Sequence, residues 1–190
     1  NTVGSYGLFS SYNALGGKLG KFSYYTYYQR RVSDGYRTNA SSDAQAQFAN
    51  LRYDFSSKLN LQFEIGRSEY LYQIPGPLTD SMFYSDPRQS TRSRNYFNPD
   101  IYVPSVTLNW QLNPATSLQW IVSGLFGARN SVEFEGFADK QDVIDPVTLQ
   151  YKPRAVNIDN FNSKTSELRL LHQYSLGKMK SVVSAAVRYF

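Results

Sequence analysis

The sequence predicts an all-β protein, an antiparallel transmembrane β-barrel, here an arc of about eight strands of a larger barrel. Three observations predict it. Apolar and polar residues alternate with period two in one segment after another. Short turns and long polar loops take turns along the chain. Aromatic residues gather toward both ends of the predicted strands. Composition agrees: 16 Tyr and 12 Phe make up most of a 16% aromatic content, and both residue types favour strands and wet–apolar boundaries. A mean hydropathy of −0.48 fits no helical span. A barrel needs only every second residue to be apolar, so its average hydropathy resembles that of a water-soluble chain.

Taken in chain order, segments 4–15 and 20–32 predict strands with tyrosines in both phases, separated by a turn at Gly16-Gly17-Lys18-Leu19-Gly20. After a polar loop over 33–43, residues 49–55 set Ala49, Leu51, Tyr53 and Phe55 against Asn50, Arg52 and Asp54. A turn at Ser56-Ser57-Lys58 leads to Leu59, Leu61, Phe63 and Ile65, alternating with Asn60, Gln62, Glu64 and Gly66. A long loop over 72–99 follows. Val106, Leu108, Trp110 and Leu112 then oppose Ser105, Thr107, Asn109 and Gln111. Beyond Asn113-Pro114-Ala115-Thr116, Leu118, Trp120, Val122 and Phe126 share a face with Gly124. A second long loop covers 130–161. Leu168, Leu170 and Tyr174 then oppose Glu167, Arg169 and Gln173, and after Gly177-Lys178 the run 181–190 is again strand-like. No window keeps apolar residues at helical spacing.

Strict alternation of short and long connections suits a barrel with periplasmic turns and extracellular loops. Phe22, Tyr53, Phe55, Trp110 and Tyr174 lie near the short-turn ends, and Tyr27, Tyr28, Tyr70, Tyr72 and Tyr102 near the long-loop ends. They predict two interfacial belts. The competing explanation is a soluble β-domain with these rings in its core, for instance one that binds carbohydrate. A self-contained eight-stranded barrel is also open. Against that, Arg188 shares the phase of Phe190, whereas Val183, Ala185, Val187 and Tyr189 form the apolar face. The final run therefore reads as a mid-barrel strand. The chain begins at Asn1 without an initiator Met or a leader, so either a leader has been removed or the chain is a segment of a longer polypeptide, and the phase of the final run favours the segment.

The formal charge of +5 is scattered rather than striped, so no nucleic-acid partner is expected. The absence of cysteine excludes disulfides, thiolate chemistry and Cys-based metal sites.

Several stretches resemble TonB-dependent outer-membrane receptors, in particular the ferric-citrate and siderophore receptors abundant in Bacteroidetes. The most specific is Pro75-Gly76-Pro77-Leu78-Thr79-Asp80 followed by Asp86-Pro87-Arg88-Gln89-Ser90-Thr91-Arg92-Ser93-Arg94-Asn95, which looks like one of their loops. Ser5-Tyr6-Gly7-Leu8-Phe9, Tyr24-Tyr25-Thr26-Tyr27-Tyr28 and Asp34-Gly35-Tyr36-Arg37 resemble the first barrel strands after the plug. Glu167-Leu168-Arg169-Leu170-Leu171-His172 and Val187-Arg188-Tyr189-Phe190 resemble a later stretch. The resemblance implies that residues 1–190 are the N-terminal portion of a transmembrane barrel domain in the outer membrane, surrounded by lipid. It also implies import of a ferric chelate with energy from the TonB complex. The plug, the TonB box and the remaining strands are not in this sequence. The resemblance implies neither enzymatic activity nor a resident cofactor; the ferric chelate would be cargo.

Candidate chemistry lies in the loops. Arg88, Arg92 and Arg94, with Gln89 among them, present guanidinium groups suited to the carboxylate oxygens of an anionic chelate. The plainer expectation for this stretch is a solvated loop with ion pairs to Asp80 and Asp86. In the acidic loop 130–161, Asp139, Asp142 and Asp145 are oxygen donors of the kind calcium takes. Their spacing matches no calcium loop and the turn glycine is missing, so a solvated loop is expected and no metal site is assigned. His172, the only histidine, sits on an apolar phase near Tyr174 and reads as an interfacial residue. No G-x-S-x-G accompanies it. Asn50, Arg52, Asp54, Asn60, Gln62, Glu64, Glu167 and Arg169 read as a wet lumen wall whose members bond to one another.

Overall fold

The computed structural model describes residues 1–190 as one antiparallel sheet. Its strands are β1 (Thr2–Gly4), β2 (Leu8–Leu19), β3 (Phe22–Ser33), β4 (Ser42–Asp54), β5 (Leu59–Gln73), β6 (Tyr96–Asn113), β7 (Thr116–Glu133), β8 (Ala155–Leu176) and β9 (Met179–Tyr189). A short helix, α1 (Asp80–Ser85), lies between β5 and β6. Each strand pairs only with its neighbours in the chain, so the sheet is a meander with β1 and β9 as its two edges.

The register gives each face its chemistry. One row across the sheet reads Leu19, Phe22, Tyr53, Leu61, Leu108, Trp120, Leu168 and Val187. On the opposite face a row reads Lys18, Ser23, Arg52, Gln62, Thr107, Ile121, Glu167 and Arg188. Period-two alternation produces both rows, because a strand's side chains leave the pleat on opposite sides.

Apart from Pro99, no apolar residue is buried anywhere in the chain. Trp110 is 45% exposed and Trp120 47%, and no second layer covers them. This corrects the soluble β-domain alternative, in which these rings would form a core. A continuous apolar sheet face of this size is stable only in apolar surroundings, which a bilayer supplies to the outside of a barrel.

The strands run further than the alternation alone predicts. β6 begins at Tyr96, inside the loop expected over 72–99, and passes through Pro99 and Pro104. Pro104 has no N–H to give, and pairing with β7 lapses at Val103 and Pro104 before resuming in the same register. Correspondingly, the long connections shrink to 34–41, 74–95 and 134–154.

The turn expected at Gly16–Gly20 is also displaced. β2 continues through Gly16 and Gly17, and the chain reverses at Gly20, whose φ is +59°. The two earlier glycines make room for rings instead. A Cβ on Gly16 would stand 2.9 Å from Tyr25 Cδ2, and one on Gly17 3.0 Å from Tyr24 Oη.

Of the belt expected near the short turns, Phe22, Tyr53, Trp110 and Tyr174 lie on the apolar face, while Phe55 falls beyond the end of β4, in the turn. Near the long loops only Tyr28 and Tyr102 share that face; Tyr27, Tyr70 and Tyr72 turn to the polar one. Position along a strand predicts a belt, but strand parity decides which face a ring takes.

Candidate functional site

The three long connections leave the same end of the sheet and lock into one polar unit. Apart from Pro99 in β6 and Glu167 in β8, the buried residues of the chain belong to this end: Thr91, Arg92, Asn95, Ser131 and Asp142. Loops must satisfy their backbone groups without a ladder, and here side chains do so.

Arg92 is 2% exposed. Its guanidinium donates to the carbonyls of Phe134 (3.1 Å), Lys140 (2.8 Å) and Thr91 (2.9 Å), and also bonds Gly136 O. The Phe134 ring lies 4.7 Å away. One side chain thereby gathers the carbonyls that begin the 134–154 connection. Burial pushes the Arg92 pKa down, while the nearby Asp142 charge acts against that shift.

Asp142 closes the same junction. Its carboxylate accepts from Arg154 Nη2 at 2.5 Å and from the Ser93 hydroxyl at 3.2 Å, and its own N–H donates to Thr91 O at 3.2 Å. Burial alone would raise the Asp142 pKa; the bonds and charge of Arg154, with Ser93, outweigh it and hold the carboxyl below its usual range. Asn95 Oδ1 accepts from the Phe134 N–H (2.9 Å) and from Arg154 Nη1 (3.3 Å).

On the other side, residues 34–41 fasten to 74–95. Arg37 donates to Gly76 O at 2.7 Å and twice to Gln89 O, at 2.9 and 3.0 Å. Asn39 Nδ2 donates to Arg92 O at 2.7 Å, and the Thr38 N–H to Arg88 O at 2.8 Å.

The four residues proposed from sequence to meet a ligand therefore separate. Arg92 is buried among carbonyls. Gln89 Nε2 bonds back to Met82 O (2.8 Å) and Asp86 O (3.1 Å), at the end of α1. Arg88 is exposed, bonds Tyr36 O at 3.1 Å and lies over the rings of Tyr6 and Tyr36. Arg94 is exposed, with its guanidinium 4.6 Å from the centre of the Tyr151 ring. The ion pairs expected with Asp80 and Asp86 do not form, because backbone carbonyls and rings take the guanidinium groups instead. Only Arg88 and Arg94 keep a face free for a ligand.

Nor do the aspartates of the acidic loop converge. Asp142 is bound to Arg154, Asp139 faces Lys140, and Asp145 accepts the N–H groups of Val147 (2.8 Å) and Thr148 (3.0 Å) in its own turn. Those two bonds lower the Asp145 pKa. No cluster of three or more His, Cys, Asp or Glu side chains is placed to hold a metal ion.

Below the loops, the polar face is a bonded wall. Asn50 Nδ2 and Gln62 Nε2 donate to Glu64 at 2.7 and 2.9 Å, and Arg52 pairs with Asp54 at 2.9 Å. Gln119 bonds Asn109 (2.8 Å), Asn109 bonds Asn60 (3.0 Å), and Glu167 holds both Arg169 and Arg188. His172 lies on the apolar face with Nδ1 2.9 Å from Thr116 Oγ1, stacked on Tyr174. Sequence reasoning finds this wall but misses Arg37, Asn39, Asn95 and Arg154, whose partners stand 12 to 59 residues away with no local spacing to betray them.

No protein-family model matches the chain, and no curated protein matches it. Among solved structures, it is similar to the ferric citrate transporter FecA in its unliganded form, with a TM-score of 0.81 at 14% identity. The match covers 94% of this chain and 25% of that one, so the chain spans a quarter of the neighbour's length. At this identity the likeness concerns the fold alone: the sheet is built as an arc of such a barrel.

Proposed function

We propose that this chain forms the first strands of a TonB-dependent outer-membrane transporter that binds and imports a ferric chelate, citrate or another siderophore. The observation that carries this reading is the superposition of nearly the whole sheet on part of a ferric citrate transporter. The polar sheet face with the three long loops fastened together at one end supports it, since a hydrated passage with loops at its mouth suits capture of a polar solute from outside. The barrel contributes binding and passage, with no bond-making residue assigned. Contact with the TonB complex and a plug would belong to chain outside these 190 residues.

A self-contained eight-stranded barrel is less well supported, because its first and last strands would have to pair. Here β1 pairs only with β2, and β9 only with β8. Open edges in hydrocarbon leave backbone groups unsatisfied, so further strands are proposed to close the barrel. The test is iron-restricted growth of cells lacking the gene, with ferric citrate or a siderophore as the iron source. Transport predicts a growth defect for one chelate, repaired by the wild-type gene only when TonB is present. Growth on every chelate without the gene, or repair that ignores TonB, would contradict it.

A further inference from the structure

The apolar side of the sheet changes character in tiers on the way to the long loops. In β5 the residues of that face are Leu59, Leu61, Phe63 and Ile65, and Tyr102 of β6 closes the stretch beside Arg67. A charged tier follows. Arg67 bonds both Glu69 and Asp100 at 2.9 Å and lies over the Tyr102 ring, and Arg30 pairs with Asp43 at 2.8 Å. All five share the parity of the apolar face, so they leave the sheet on the side opposite the polar wall.

Above this tier lies a cleft of about 420 Å³, to which all three long connections contribute. Small-molecule sites span about 300–1,000 Å³. The cleft reaches the sheet at Gln73, which again has the parity of Leu61 and Arg67. It therefore meets the outer side of the sheet and not the polar wall.

The charged groups at its base are already satisfied, Arg92 by carbonyls and Asp142 by Arg154 and Ser93. The groups left over are neutral. Gln73 uses its Oε1 for Ser41 and keeps Nε2; Asn39 uses its Nδ2 for Arg92 O and keeps Oδ1. The Thr38 hydroxyl and the Gln141 amide, both exposed, have no partner in the chain. Donors and acceptors mixed around one cleft, with no free charge, suit the hydroxyls of a sugar, each of which donates and accepts.

Height selects the source of that sugar. Six residues of tilted strand separate Arg67 from Gln73, about 15 Å along the membrane normal. A phospholipid headgroup reaches only about 5–8 Å beyond the hydrocarbon. A glycolipid carries charge at its headgroup and sugars beyond it, which is the order of the tiers on this face. We propose that the cleft holds a neutral sugar of an outer-leaflet glycolipid, whose charged headgroup meets the tier of Arg30 and Arg67. The inference needs the apolar face to lie in a bilayer and does not depend on transport of a chelate.

The test uses the full-length protein in phosphatidylcholine vesicles, with fluorescent lipopolysaccharide as the reporter. The competitors are unlabelled lipopolysaccharide, the lipid A left after its mild acid hydrolysis, and the oligosaccharide released in the same step. Intact lipopolysaccharide is expected to compete about tenfold better than either part. Gln73→Ala combined with Gln141→Ala should remove that advantage, as the loss of two uncharged bonds warrants, and leave lipid A binding unchanged. Thr38→Trp, which fills the cleft, should do the same. Heat-modifiable migration confirms that each variant is a folded barrel. Equal competition by lipid A and lipopolysaccharide, or an advantage that survives in the folded variants, would overturn the cleft. Competition by the free oligosaccharide as strong as that of lipopolysaccharide would overturn the glycolipid assignment. Growth on ferric chelates reads the transporter separately, so the two proposals can fail apart.

Discussion

At Arg92 a guanidinium sits 2% exposed among carbonyl oxygens more than forty residues away in the chain. Replacing it with Met removes the donors and leaves those carbonyls buried without partners, a loss of about 2–4 kcal/mol to the loop junction. The amides of 134–142 should then exchange with solvent much faster. Arg88→Met, at an exposed position, should change exchange there by less than about 1 kcal/mol. Asp142 adds a pH dependence. Its folded pKa lies below the unfolded carboxylate value of about 4. Its stabilisation is therefore fully present above that value and disappears as pH falls through the lower folded value. Exchange and proteolysis within 134–154 should accelerate below about pH 4 in wild type. Asp142→Asn should be looser at neutral pH and should keep only the dependence that Asp145 contributes. None of these roles is legible locally: Arg88, Arg92 and Arg94 look alike in sequence, and only the folded loops separate the buried fastener from the two exposed cations.

At the scale of the strand, the alternation in 105–112 is readable without a structure because Val106, Leu108, Trp110 and Leu112 hold one parity with no exception. In β3 it is not, since Tyr24, Tyr25, Tyr27 and Tyr28 occupy both parities; pairing of Tyr25 with Asn50 and Tyr24 with Leu51 decides the matter. Strand ends are equally hidden. The loops read from sequence at 72–99 and 130–161 take in 96–99, 130–133 and 155–161, yet the ladder continues there because each neighbouring strand supplies its partner groups. The two faces carry opposite tolerances. Leu108→Arg should destabilise the barrel by about 2–4 kcal/mol near the bilayer midplane, and Thr107→Arg, one residue away on the lumen side, by far less. Urea unfolding in lipid vesicles measures both.

As a whole, the molecule has no buried apolar core, and its closest packing is a polar loop junction. Its apolar face and its two open edge strands fit the proposal that further strands close a larger barrel. The native polypeptide should accordingly have a mass several-fold above 21.7 kDa. The measurement that tests the account most directly exploits the absence of cysteine. Single cysteines placed in turn from 105 to 112 and from 117 to 122, each spin-labelled in the full-length protein in bilayers, report exposure to oxygen in lipid and to a polar relaxant in water. Period-two alternation is predicted, with oxygen reaching 106, 108, 110, 118, 120 and 122, and the polar relaxant reaching the positions between them. Equal access of the polar relaxant to both parities would contradict a lipid-facing sheet.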